Sequence, residues 1–263
     1  MTTINDPARA RMAAGDICLG LGLRQARTMD TGRVLATCGY DWAFIDCEHG
    51  SMDVDTTVQL CVAIHDAGVT PLVRVPGYEH HLASRLLDGG AMGIVFPHVD
   101  TAELARQLVS NCKYPPMGHR SYGGPMAQLG FAPAGYTEAT EAVNAQTTLV
   151  MMVESPTSVE NVDEIAAVDG VDVLFVGTND LLLEMGLPGQ FDHPDLEAAL
   201  RRVVEACHKH GKVPGFGGIG DDGLAAKFVQ MGMRFILASS DLFLLMSGAR
   251  ERRRFYRGID LKG

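Results

Sequence analysis

Two short apolar runs in this chain each stop on an acid. Met151-Met152-Val153 leads into Glu154, and Leu174-Phe175-Val176-Gly177-Thr178-Asn179 leads to Asp180. An acid at the exit of a buried strand is costly unless something pairs with it. Two such acids, one strand–helix–strand unit apart, point to a cation between them. Hard carboxylate oxygens suit Mg²⁺ or Mn²⁺, which keep waters and share their shell with substrate. Either acid alone reads equally well as a helix cap or first-turn acid; the pair at equivalent strand exits favours metal. Gly177-Thr178-Asn179 also offers backbone N–H groups just before Asp180, a cradle for a substrate carboxylate.

His49 is the best general base, and Asp46, three residues earlier, is placed to orient its ring and set its tautomer. A histidine after a strand is often only a polar loop residue, but the flanking Asp46 and Glu48 favour the functional reading. Arg74 stands in the apolar run Pro71-Leu72-Val73-Arg74-Val75-Pro76 and, if buried, needs an anionic partner. That partner is either a structural carboxylate, Glu48 or Asp46, or a substrate oxygen that gains enolate charge. Arg24 lies just past the first strand, and Pro97-His98 closes the fourth. The lysines are Lys113, Lys209, Lys212, Lys227 and Lys262, and none follows a strand, so a Schiff-base mechanism has no candidate. There is no G-x-S-x-G elbow for a nucleophilic serine. Carbanion chemistry here would use the metal as electron sink.

The elements that must position these groups alternate. Strands are expected near Cys18–Leu23, Trp42–Glu48, Pro71–Val75, Gly93–His98, Thr148–Glu154, Asp172–Gly177, Lys212–Phe216 and Arg234–Ala238. Amphipathic helical patterns fill the gaps at Val54–Ala67, Glu79–Leu87, Thr101–Ser110, Ser158–Ala167, Asp195–His210 and Asp221–Met231. Such alternation implies parallel pairing with right-handed crossovers. A (β/α)8 barrel spanning residues 1–263 as one domain fits better than an open doubly wound sheet, which is the alternative. Gly20-Leu21-Gly22 lies within the first strand and lacks the third glycine of a dinucleotide fingerprint. The catalytic end of a barrel is the C-terminal end of its strands, where these polar groups gather. Residues 112–146, rich in Pro, Gly and Ala, form a long excursion expected to leave the active-site face. The segment 241–257 starts as an apolar helix and ends in Arg250, Arg252, Arg253, Arg254 and Arg257, which reads either as a last helix matched to its dipole or as a subunit contact.

The chain has 263 residues, of which 46% are hydrophobic, enough for one large core. A net charge of −10 argues against nucleic acid as a partner. No apolar run reaches membrane-spanning length and no signal-peptide pattern opens the chain, so the cytosol is the expected location. The 6 cysteines form no C-x-x-C pair and sit mostly in apolar surroundings, as buried reduced thiols do.

Several segments together resemble the HpcH/HpaI aldolases, the metal-dependent (class II) aldolases of 2-oxo acids. They are Phe44-Ile45-Asp46-Cys47-Glu48-His49-Gly50, Pro71 through Pro76, Val153-Glu154-Ser155, and Val168 through Leu181. The similarity runs from about Gly20 to Ser247, and is nearest to members that use pyruvate or hydroxypyruvate, 4-hydroxy-2-oxoheptanedioate aldolase among them. It implies a barrel of the phosphoenolpyruvate/pyruvate type with a swapped C-terminal helix, assembled as a hexamer (a trimer of dimers). It implies a divalent cation (Mg²⁺, Mn²⁺ or Co²⁺) on Glu154 and Asp180, chelated by the 2-oxo acid. Arg74 would contact the carbonyl or enolate oxygen, and His49, supported by Asp46, would move the proton. Asp88, otherwise only a helix-end acid, matches one that a neighbouring subunit lends to the site. The chain departs from the family pattern at Met152, often Gln, at Thr178-Asn179, where Pro-Ala is common, and at Gln128-Leu129-Gly130-Phe131, which replaces an Arg-Trp pair. These departures bear on the aldehyde partner rather than on the metal ligands or the base.

The function expected is therefore reversible cleavage of a 4-hydroxy-2-oxo acid to pyruvate or hydroxypyruvate plus an aldehyde. His49→Ala and Arg74→Ala are expected to fold normally and lose activity. The rivals are another metal-dependent enolate enzyme of the acyl-CoA lyase type, and a non-catalytic barrel used for binding or assembly.

Overall fold

The computed structural model describes residues 4–261; residues 1–3 and 262–263, Lys262 among them, lie outside the described residues. Eight parallel strands close in sequence order into a barrel. They are β1 (Cys18–Leu23), β2 (Trp42–Asp46), β3 (Thr70–Arg74), β4 (Gly93–Phe96), β5 (Thr148–Val153), β6 (Val173–Gly177), β7 (Val213–Gly217) and β8 (Phe235–Ser240). Around them run α1 (Pro7–Ala14), α2 (Thr31–Thr37), α3 (Val54–Asp66), α4 (His80–Asp88), α5 (Ala102–Cys112), α6 (Tyr136–Gln146), α7 (Pro156–Glu160), α8 (Val162–Ala166), α9 (Thr178–Glu184), α10 (Pro194–His210), α11 (Asp222–Met231) and α12 (Asp241–Arg257). The barrel expected from the alternation is the one found, and the open sheet is excluded by the β1–β8 pairing.

The strand period of two explains both layers of the core. Successive side chains point to opposite faces, so Ala43 and Ile45, Val73, Leu149, Met151 and Val153, and Leu174 and Val176 face the helices in one cluster. Trp42 and Phe44, Leu72, Val150 and Met152, and Val173 and Phe175 fill the barrel interior in another. At its centre Trp42 stacks on Phe235, with ring centroids 4.1 Å apart. Gly20 is why that ring fits: a Cβ there would collide with the Trp42 indole. The Gly20-Leu21-Gly22 pattern is thus a packing device inside the sheet.

The expected strands overrun their ends where acids follow. Glu48 lies in a bend beyond β2, His98 lies two residues past the end of β4, and Glu154 lies just past β5. The pattern at Ser158–Ala167 is split into α7 and α8 at Asn161.

The 112–146 excursion is at the other end of the barrel from the one expected. It follows helix α5 rather than strand β4, so it belongs to the strand-start end. There Lys113 Nζ donates to Thr147 O at 2.5 Å, just before β5, and Gln128 Nε2 donates to Ala91 O at 3.0 Å, just before β4. Met126, Leu129, Ala139 and Val143 pack with Ile4 and Ala8 to plug the barrel floor. The segment ends in helix α6, which composition alone did not suggest.

Helix α12 leaves the barrel. Ser240 caps it, accepting from Phe243 N at 3.3 Å, but none of its residues is buried. Phe243, Leu244, Leu245 and Met246 are all exposed, and the last four residues of β8 are only partly covered.

Candidate active site

The inward strand columns carry the chemistry to one mouth. Beyond Trp42 and Phe44 the next inward residue of β2 is Asp46, and beyond Leu72 on β3 it is Arg74. Asp46 and Arg74 are register partners, so the sheet itself places acid beside cation. Beyond Val150 and Met152 the same period brings Glu154 to the rim. These groups line a cavity of about 570 Å³ together with Arg24, His49, Gly177, Thr178, Asn179 and Asp180. Its floor is Phe44, Met152 and Phe175, and Gly217–Gly220, Ser239, Ser240 and Phe243 close the remaining side.

Arg74 is buried, and each of its three nitrogens meets a carboxylate. Its Nε donates to Asp46 Oδ1 at 3.1 Å and its Nη2 to Asp46 Oδ2 at 2.9 Å. Its Nη1 lies 3.0 Å from Glu48 Oε2, and its guanidinium carbon sits 5.0 Å from the centroid of the Phe44 ring. Burial works to raise the Asp46 carboxyl, but the bonds and charge of Arg74, with the N–H groups of His49 and Glu48, outweigh it and hold Asp46 below the usual carboxylate range.

This arrangement corrects the role assigned to Asp46. Its oxygens accept from Arg74 and from the backbone N–H groups of Glu48 and His49, both at 3.1 Å. The His49 ring is turned elsewhere, with Nε2 3.9 Å from Glu48 Oε2. Asp46 thus fixes the turn that carries His49, while Glu48 faces the imidazole. The His49 side chain is 55% exposed, which leaves it open to solvent and substrate.

Glu154 is 1% exposed, and its Oε2 accepts from His98 N at 2.9 Å. The His98 ring nitrogen Nδ1 is 3.8 Å from the same oxygen. Desolvation pushes the Glu154 carboxyl up to about 7; Asp180 adds to the rise, and His98 and Arg74 oppose it. Gly177 is required here, because a Cβ at that position would strike the Glu154 carboxylate. His98 has φ +48, a conformation that non-glycine residues rarely adopt, and it aims its N–H at Glu154. The sequence placed His98 at a strand end but gave it no part in the site. Gly217-Gly218-Ile219-Gly220 was also missed, although so glycine-rich a strand exit signals close approach.

Among the described residues no three His, Cys, Asp or Glu side chains form a ready-made ligand set. Two carboxylates facing one cavity, with one of them destabilised as an anion, fit an oxygen-seeking divalent ion that takes its other ligands from water or substrate. Thr178 is not free to help, since its hydroxyl donates to Gly217 O at 2.8 Å; any cradle rests on the backbone of Gly177–Asn179 and on the Asn179 amide.

Asp88 is not in this cavity. It ends α4 at the strand-start end of the barrel, where Arg120 Nη2 donates to its Oδ1 at 2.6 Å. None of the four described lysines lines the cavity. Lys113 and Lys212 end on backbone carbonyls, and Lys209 and Lys227 pair with Asp163 and Glu197.

The profile of the family described as HpcH/HpaI aldolase/citrate lyase matches residues 25–247. The chain is 38% identical to a 4-hydroxy-4-methyl-2-oxoglutarate aldolase of Chaetomium globosum over 91% of this chain and 90% of that protein. It is 34% identical to a hydroxypyruvate/pyruvate aldolase of Roseobacter denitrificans over 90% of this chain and 91% of that protein. Its fold superposes on the crystal structure of an HpcH/HpaI aldolase from Desulfitobacterium hafniense with a TM-score of 0.92, at 30% identity, covering 97% of this chain and 98% of the other.

Proposed function

We propose that this chain, which belongs to the HpcH/HpaI aldolase/citrate lyase family, catalyses reversible aldol cleavage of a 4-hydroxy-2-oxo acid. The products are pyruvate or hydroxypyruvate and a second carbonyl fragment. One observation carries this reading: two strand-end carboxylates, a histidine and a buried arginine share one cavity that none of the described lysines lines. In cleavage, His49 takes the proton of the C4 hydroxyl, the C3–C4 bond breaks, and its electrons move toward the 2-oxo group. C3 then takes up a proton to give the free 2-oxo acid. In condensation His49 serves the reverse transfer. Arg74 is held rigid by Asp46 and Glu48 and keeps one N–H on each terminal nitrogen for the oxygen that gains charge. A divalent cation (Mg²⁺, Mn²⁺ or Co²⁺) on Glu154 and Asp180 would supply the Lewis acidity that makes that charge affordable. Gly177, Thr178 and Asn179 offer backbone N–H groups to the substrate carboxylate. Both relatives' names describe chemistry on a 2-oxo acid, which supports the pyruvyl half of the substrate. The acyl-CoA alternative finds little support, because the cavity's only arginines are Arg24 and Arg74 and neither is placed to receive a long phosphorylated tail. The test is pyruvate release from a 4-hydroxy-2-oxo acid before chelation, after it, and with each metal restored. Loss on chelation and recovery with metal is the expected result; turnover that survives complete chelation overturns the metal reading.

The unburied α12 and the half-covered β8 support an assembly in which α12 packs on a second copy, as in the hexamer the family resemblance implies. Asp88, at the far end of its own barrel, is then available to a neighbour's cavity rather than its own. Light scattering on active protein checks this; a single-chain mass with full activity overturns both statements.

A further inference from the structure

His98 is held in a conformation it does not favour. Its φ of +48 is one that a residue with a Cβ keeps only where its surroundings force it. The forcing contacts come from three directions. On β5, Met152 O accepts from Val99 N at 3.2 Å. Beyond β5, Ser155 Oγ donates to Asp100 Oδ1 at 2.6 Å, and Asn161 Nδ2 donates to Asp100 O at 2.8 Å. From the loop after β3, the Tyr78 hydroxyl donates to His98 O at 2.7 Å. The first three bonds fix Val99 and Asp100. Tyr78 alone among these partners grips the strained residue, by its carbonyl.

What the strain produces is one hydrogen bond, from His98 N to Glu154 Oε2 at 2.9 Å. The Glu154 backbone is settled separately, since its N–H donates to Ser158 Oγ at 3.2 Å. The side chain still has a choice of rotamers, and a fixed amide on one oxygen selects among them. With Oε2 on that amide, Oε1 lies over Gly177 at the end of β6, where a Cβ would strike it. That is the strand whose exit carries Asp180. Tyr78 is not among the residues that line the cavity, so its reach into the site runs through His98. Without the hydroxyl, the His98 carbonyl loses its side-chain donor, the turn relaxes toward negative φ, and the N–H swings away from Glu154.

We propose that Tyr78 is a positioning residue: through the His98 turn it fixes Glu154 in the rotamer that receives a divalent cation. This rests on the metal reading above and adds to it the group that prepares the ligand.

The test compares the full-length wild type with Tyr78→Phe, which removes one hydroxyl from a side chain on a residue 40% exposed and is expected to fold. The first measurement needs no metal. Exchange of the His98 amide with deuterated water is followed by magnetic resonance in protein carrying isotopically labelled histidine, and is expected to be faster in the variant. The second is Mn²⁺ binding by titration calorimetry. The Kd is expected to rise about 10-fold, the lower end of the usual cost of removing an outer-shell partner of a metal ligand. Turnover of a 4-hydroxy-2-oxo acid is expected to return to the wild-type level once Mn²⁺ is saturating. Equal Mn²⁺ affinity in the two proteins overturns the proposal, as does unchanged exchange at His98. A turnover deficit that persists at saturating Mn²⁺ also overturns it, because Tyr78 would then act on substrate or base rather than on the ligand. Wild-type protein that binds no Mn²⁺ removes the metal reading itself; binding in the wild type with no difference in the variant removes only the role of Tyr78.

Discussion

At the strand-start mouth of the barrel, cations end on groups that cannot leave. Lys113 Nζ donates to Asn144 O and Thr147 O, Lys212 Nζ to Val168 O and Val171 O, and Arg9 Nη2 to Asp172 Oδ1. At the strand-end mouth, acids face open space: Glu154 has a backbone N–H and a half-exposed histidine for company, and Asp180 lies beside it. The same sheet thus has one end where lysines are tied to backbone carbonyls and another where acids line a cavity. Burial drives their charged groups in opposite senses, pushing Glu154 up to about 7 and Lys113 down to about 8. A group satisfied by backbone contributes to folding, whereas a group left short of partners is available to a ligand.

Changing one residue at each mouth breaks the comparison if it is wrong. Glu154→Gln is expected to lower turnover on the order of 10²–10³-fold, the usual cost of one preorganised electrostatic contact, with no loss in melting temperature. Near-normal turnover would remove Glu154 from the chemistry. Arg74→Ala is expected to cost about 3–5 kcal/mol in urea unfolding, because the buried Asp46 would lose its counter-charge and the partly buried Glu48 its partner. This departs from the sequence reading, which expected the variant to fold normally; His49→Ala, at an exposed position, keeps that expectation. Arg74→Lys, which retains charge without the fork, is the better probe of catalysis.

The pH dependence sharpens the contrast. In metal-free protein the raised Glu154 pKa means the native state holds a proton that the unfolded chain releases. Its stabilising contribution is complete below about 4.5 and is lost as pH rises through about 7. The difference in stability between wild type and Glu154→Gln is expected to shift by up to about 3 kcal/mol across that window. Lys113 behaves in the opposite sense. Its lowered pKa costs stability below about 8, and the cost is relieved as pH rises toward 10.5. Lys113→Met is expected to destabilise by about 2 kcal/mol at neutral pH, since two buried carbonyls lose their donor, with turnover kept. A flat profile for either pair of proteins would remove the distinction between the two mouths.

Much of the site was legible because the strand period is two. Once Trp42 and Phe44 are inward, Asp46 is inward, and the same parity sends Arg74 and Glu154 into the barrel. The misplacement of residues 112–146 had a clear source. Their length signalled function, yet the side of the barrel depends on whether a segment follows a strand or a helix, and the helix at Thr101–Ser110 had already been identified. Asp46 was assigned to His49 because they are neighbours in sequence; register put Arg74 nearer, and register is set across strands. His98 and Arg24 stayed without roles because a lone polar residue after a strand carries no period, and what defines each is a distance to a residue far along the chain. The missed helix α1 did have its signals, Asp6 as cap, Pro7 in the first turn and Gly15 at the end.

The Asp241 carboxylate has a further consequence. It is the first residue of the departing helix α12, and it also grips the three consecutive amides that seat Arg24. Helix and cavity wall are therefore one mechanical part, hinged on a single side chain. A substitution that shifts the start of α12 therefore shifts Arg24 at the cavity wall with it. Changes in the first turn of α12 are therefore expected to reach the cavity sooner than changes on the far side of the barrel.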